Sequence, residues 1–151
     1  MKSVWIKWCW IAFFTLSMTS LVQAEQAEHF NGYVAHYNTF NTTLLTPEVA
    51  RAYGITRSGN LALLNIAVLK KQPEGMDEAV TAQITVNASN LVGQKKPIQL
   101  IEVQDRGAIY YIGTFRIRDE ERIRFDITVQ PSGQTAPPHR FRFDQIFYVN
   151  E

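Results

Sequence analysis

From residue 78 onward apolar and polar residues alternate with a period of two. In Val80–Ala88 every even position is apolar and every odd one polar, the pattern of a strand with one buried and one wetted face. Ile123, Phe125, Ile127 and Val129 alternate in the same way with Arg122, Arg124, Asp126, Thr128 and Gln130. Phe141, Phe143 and Phe147 alternate with Arg140, Arg142 and Asp144. Two further strands are predicted over Pro97–Val103 and Ala108–Ile117, with Asp105-Arg106-Gly107 as the turn between them. Leu61–Leu69 is almost continuously apolar, broken by Asn65. Gly59-Asn60 and Gln72-Pro73-Glu74-Gly75 bracket it too tightly for a helix, so a central strand buried on both faces is predicted. Phe30–Phe40 reads as one long strand.

A single short helix has its punctuation in place. Thr46 can cap it, Pro47 suits its first position, Glu48 favours its positive end and Gly54 supplies a left-handed stop. About seven strands with turn signals between them and one small helix predict an immunoglobulin-like antiparallel β-sandwich, with a small β-barrel as the alternative.

The first 24 residues change this picture, because they have the layout of a secretory signal. Lys2 and Lys7 precede a mostly apolar run from Trp8 to Val22, and Val22-Gln23-Ala24 offers a cleavage site after Ala24. The run is shorter than a spanning helix and carries four hydroxyl residues, so cleavage rather than retention is expected. Cys9 lies inside the run with no lipoprotein cleavage box before it, and is read as part of the leader. Removing 24 residues from 151 leaves a single domain, 25–151, and takes away the only cysteine and all three tryptophans. The mature domain therefore has no disulfide, and at this size its core needs none. Two of the fifteen basic residues also leave, so thirteen cations face fourteen acids. That balance gives no global field for nucleic acid or a membrane, and any electrostatic function must be local.

Arginine supplies the sharpest local candidate. Arg116-Ile117-Arg118, Arg122-Ile123-Arg124 and Arg140-Phe141-Arg142 repeat one pattern on three predicted strands. A hairpin through Asp119-Glu120-Glu121 would set Arg118 opposite Arg122 and Arg116 opposite Arg124. Like charges so placed need compensation. A guanidinium cluster suits phosphate or carboxylate, so Arg116, Arg118, Arg122, Arg124, Arg140 and Arg142 form a candidate patch for an anionic ligand or partner. The competing reading is an ordinary solvated face neutralised by Asp119, Glu120, Glu121, Asp126 and Asp144.

His29, His36 and His139 are the only histidines. His29 and His36 are seven positions apart, which on one regular strand sends them to opposite faces. With a single mature methionine sulfur at Met76 and no thiolate, no metal site is expected. The stretch from His36 to Thr43 concentrates amides and hydroxyls, so His36, Asn38 and Asn41 are candidates for a recognition loop or, alternatively, for turn and cap bonding. No nucleophile elbow and no glycine-rich phosphate loop is present, and Glu120 and Glu121 read as a turn tip where nothing raises a carboxyl pKa.

The block from Tyr33 to Thr42, followed by Leu45-Thr46-Pro47-Glu48-Val49-Ala50-Arg51-Ala52-Tyr53-Gly54-Ile55, is similar to the bacterial domain-of-unknown-function family 4426. Asn90-Leu91-Val92-Gly93-Gln94-Lys95-Lys96-Pro97 and Ala108-Ile109-Tyr110-Tyr111-Ile112 resemble its later segments, while the arginine-rich strands depart from it. The resemblance implies a periplasmic single-domain protein of a Gram-negative bacterium. It implies no activity and carries no functional residues over.

Three functions follow as expectations. The first is a non-enzymatic binding module of the periplasm with no cofactor, whose partner is an anionic small ligand, a glycan or an envelope protein. The second is a metal-dependent or hydrolytic enzyme using His36 and His139. The third is an accessory subunit offering an edge strand to a partner.

Overall fold

The alternating segments all become strands in the computed structural model, which describes residues 26–149. The expected signal segment lies outside the described residues. Among the described residues ten strands form: β1 (Gln26–Phe30), β2 (Tyr33–Asn41), β3 (Leu61–Lys70), β4 (Glu78–Ala79), β5 (Ala82–Asn90), β6 (Lys95–Lys96), β7 (Ile101–Asp105), β8 (Ala108–Arg116), β9 (Glu121–Pro131) and β10 (His139–Phe147). They build two antiparallel sheets. The larger runs β1-β2-β3-β8-β7 with β4 added to β3, and the smaller runs β10-β9-β5-β6. The sheets share no ladder, so the architecture is a sandwich and the barrel alternative falls away.

The core lies between the inner faces. Ile123, Phe125, Ile127 and Val129 of β9 meet Leu64, Ile66 and Val68 of β3, all essentially without solvent contact. Phe125 stacks on Phe143 with ring centres 4.7 Å apart and meets the edge of Phe115 at 5.5 Å. The predicted central strand is central, with β2 on one side and β8 on the other. Tyr111 ties the sheets together: its hydroxyl accepts from the Ala82 amide at 2.8 Å and donates to Glu102 at 2.9 Å. Burial, followed by the Glu102 carboxylate, raises this phenol above its ordinary pKa of 10.0.

Three sequence expectations are corrected. Phe30–Phe40 is a hairpin rather than one strand, because Asn31 (φ 45°) and Gly32 (φ 78°) form a two-residue turn with both residues left-handed. Pro97–Leu100 is irregular and only Ile101 onward is strand. That segment crosses from the smaller sheet to the larger, with Ile98 and Leu100 packed against the core. The third correction concerns Ala108–Ile117 and Arg122–Gln130, which do not pair. β8 already has β3 and β7 as neighbours, and β9 has β5 and β10, so residues 117–120 step from one sheet to the other.

The helix forms at Pro47–Ala52, with the Val49 amide donating to the Thr46 hydroxyl at 3.3 Å and Gly54 left-handed at φ 66°. A 3-10 turn, Thr42–Leu44, precedes it. Among the described residues no helix is long and apolar enough to cross a membrane.

Candidate functional site

Because β8 and β9 lie in different sheets, the six arginines do not form one patch. Arg122, Arg124, Arg140 and Arg142 share the outer face of the smaller sheet. There Arg142 donates to Asp126 at 2.5 Å across the ladder, and Arg124 donates to Asp144 at 3.2 Å. Arg140 stands opposite Thr128, one diagonal step from Asp126. Arg122 stands opposite Ile146, one diagonal step from Asp144. Every guanidinium on this face thus has a carboxylate as direct or diagonal neighbour, within the reach of long side chains.

Arg116 and Arg118 go elsewhere, to a cleft at the open edge of the sandwich. One wall is the end of β8, Thr114 to Arg116, continuing to Arg118; the other is Gln94-Lys95-Lys96-Pro97, which includes β6. Asn60 and Leu61 complete the lining, and the open-sided cleft measures about 810 Å³. A volume of that order is typical of ligand clefts, roughly 300–1,000 Å³. Lys95, Arg116 and Arg118 are exposed along it. Among the described residues none of these three side-chain cations meets a carboxylate; the Arg118 guanidinium has only the Gln94 side-chain oxygen, at 3.3 Å.

The fourth cation, Lys96, is held differently. Its ammonium donates at 2.7 Å to Glu121, and both side chains are nearly buried. Glu121 also accepts from Asn90 at 2.9 Å and from the Arg118 amide at 2.9 Å. Burial alone would raise this carboxyl, but the bonds from Lys96, Asn90 and the Arg118 amide outweigh it and hold the group below its ordinary value of 4.5. Glu121 is therefore no turn tip. The turn residue is Glu120 (φ 53°), and Glu121 opens β9 as a buried anchor. The anchor fixes Lys96 and the Arg118 backbone, and so sets the positions of both walls. Lys95, Lys96 and Glu121 were not readable as site residues, because only the cross-over between sheets brings them beside Arg116.

The polar stretch belongs to β2 as far as Asn41, and its last two residues, Thr42 and Thr43, lie in the 3-10 turn. His36 and Asn38 point to the outer face of the larger sheet, opposite Ala67 and Asn65 of β3. Asn41 ends the strand and serves the structure. Its amide donates to the Gly59 carbonyl at 2.6 Å, and its oxygen accepts from the Thr43 amide at 2.9 Å. The β1–β2 hairpin pairs His29 with Val34, which places His29 on the same face as His36 instead of the opposite one. His139 is on the inner side, stacked on Phe30 at 4.4 Å and bonded to Glu28 at 3.2 Å. His36 and His139 therefore do not share a cleft. The described residues hold no group of three His, Cys, Asp or Glu side chains placed to share a metal ion.

Comparison with known proteins bears on the fold and the family. The family model described as "Domain of unknown function (DUF4426)" matches residues 27–150. A crystal structure of a DUF4426 family protein from Pseudomonas aeruginosa PAO1 is similar at 32% identity, covering 86% of this chain and 99% of that one, with a TM-score of 0.72. FetP from uropathogenic Escherichia coli strain F11, recombinantly expressed in the periplasm of E. coli, shares the fold at 9% identity, covering 84% of this chain and 95% of that one, with a TM-score of 0.61. A copper-bound single-substitution variant of FetP is similar at 11% identity over 84% and 97% of the two chains, also at 0.61. No curated protein matches the chain. Family model and structural relative agree over nearly all of the described residues, and the chain belongs to the DUF4426 family.

Proposed function

We propose that this protein is a non-enzymatic binding module of the periplasm, and that it holds an anionic group in the cleft between Gln94–Pro97 and Thr114–Arg118. The observation that carries this reading is the set of cations, Lys95, Arg116 and Arg118, in a cleft with no carboxylate among the described residues that line it. Guanidinium and ammonium groups left without acids are suited to phosphate or carboxylate, which two arginines can grip with directed bonds. Export is supported by the signal-like leader, and the shared fold of FetP, a single-substitution variant of which is copper-bound, is a precedent for ligand binding by such a sandwich.

Thermal unfolding of the mature protein with inorganic pyrophosphate, at low and high salt, tests the reading. At one hundred times its dissociation constant the ligand stabilises by about 2.7 kcal/mol, a rise of about 10 °C at this size. The rise is expected to shrink in high salt, to vanish in Arg116→Ala and to persist in Arg124→Ala. No rise at low salt, or a rise that Arg124→Ala removes and Arg116→Ala spares, would overturn it.

A further inference from the structure

The cleft has a backbone wall as well as a cationic rim. β7 stops pairing with β8 at Ile101↔Ile112, whereas β3 follows β8 down to Leu61↔Arg116. Gly113 to Arg116 is thus paired on one side and open on the other. The Ile117 amide donates to the Asn60 carbonyl at 3.0 Å, so by strand alternation Phe115 and Gly113 also turn their peptide groups toward β3. Thr114 and Arg116 turn theirs the other way, into the cleft. The opening therefore presents amides and carbonyls at strand spacing along about 13 Å of chain. Facing it is β6, the outermost strand of the smaller sheet.

We propose that the cleft takes an extended acidic segment of a partner protein, which joins the larger sheet as a strand beside Thr114 and Arg116. The proposal rests on the anion-binding reading above and names its ligand. A free phosphate presents mainly acceptors and has no donors at strand spacing to match the two open carbonyls. A peptide supplies both N–H and C=O, as strand addition requires. Acidic side chains at alternate positions then stand beside Arg116 and Arg118, on the outer side of β8. The intervening ones turn toward Lys95–Pro97. The same cations make the edge selective. Lysine and arginine on an open strand discourage pairing with neutral strands or with another copy of the same edge.

A fluorescent peptide, Glu-Thr-Glu-Val-Glu-Thr, titrated into the mature protein and followed by anisotropy, tests this, with pyrophosphate in parallel. Two versions N-methylated at alternate residues, one in each register, keep the charge and remove one row of peptide N–H groups. The parent peptide is expected to bind in a salt-sensitive way. One methylated register should bind at least tenfold more weakly and the other nearly unchanged, while the Thr114 and Arg116 amides become slow to exchange. Thr114→Pro deletes one open donor without touching the β3 ladder, and should weaken the parent peptide about tenfold. If both methylated peptides bind like the parent, strand addition is wrong and the anion site stands. If neither peptide nor pyrophosphate binds, both readings fall. Protection of the same amides by self-association, without peptide, would make a second copy the occupant and overturn the proposal.

Discussion

On the outer face of the smaller sheet each arginine has an aspartate as its direct or diagonal neighbour, whereas around the cleft Lys95, Arg116 and Arg118 have none among the described residues. Both regions use the same residue types, drawn from the same repeating Arg-apolar-Arg sequence. The difference lies in which strands meet. Antiparallel pairing of β9 with β10 puts Asp126 and Asp144 between the arginines and spreads the charge in a checkerboard. The cleft gathers its cations from a strand end, a connection and a two-residue strand, and the nearby acid, Glu121, is already taken by Lys96. Arginine count therefore says little about anion binding; the register of the neighbouring acids decides it.

Removing the anchor of the cleft should have the largest effect. Glu121→Ala leaves Lys96 and the Arg118 amide without their acceptor and takes one of two from Asn90, and is expected to cost about 3 kcal/mol, read as a fall in melting temperature of about 10 °C. Because the folded carboxyl is held below 4.5, its contribution is complete above that value and is lost as pH falls through the lower folded value. Glu121→Gln should accordingly flatten this part of the acid unfolding curve. A mutant as stable as the wild type would mean that the pair does not set the cleft walls.

Charge reversal comes next. Arg116→Glu should weaken pyrophosphate at least tenfold, while Arg122→Glu on the checkerboard face changes it less than about twofold. Equal effects would erase the distinction between the two regions. A smaller effect sharpens it: Asp126→Asn with Asp144→Asn should cost less than about 1 kcal/mol, since exposed pairs are weak. The same double change should give the smaller sheet a new salt-sensitive affinity for pyrophosphate, detectable by calorimetry in an Arg116→Ala background.

Much of the fold was legible, for a reason that also explains what was not. Period-two alternation identifies a half-buried strand whatever its partners, so β5, β9 and β10 and the central β3 were readable within a few residues. Alternation carries no record of pairing. Asp119-Glu120-Glu121 looked like a hairpin turn, yet β8 and β9 each already had two neighbours. Asn31-Gly32 did carry a turn signal, but the apolar positions on either side of it masked the break. Arg116 and Arg118 are exposed, as the alternation implied, but they lie apart from the other four arginines. Lys95 and Lys96 lie some twenty positions upstream, where only tertiary structure brings them close.

Gly113 gives the cleft a mechanical adjustment. A Cβ placed there would lie 2.7 Å from the Ile98 Cγ2 and 2.8 Å from the Gln99 carbonyl oxygen, too close for either to stay in place. The strap from Pro97 to Leu100 thus rests in a notch that only the absence of a side chain leaves open. Alanine at this position would act as a wedge, lifting the strap and with it the wall that carries Lys95 and Lys96. The gap between the sheets could then be widened without altering a single charge, so that width and electrostatics become separately tunable parts of the same opening.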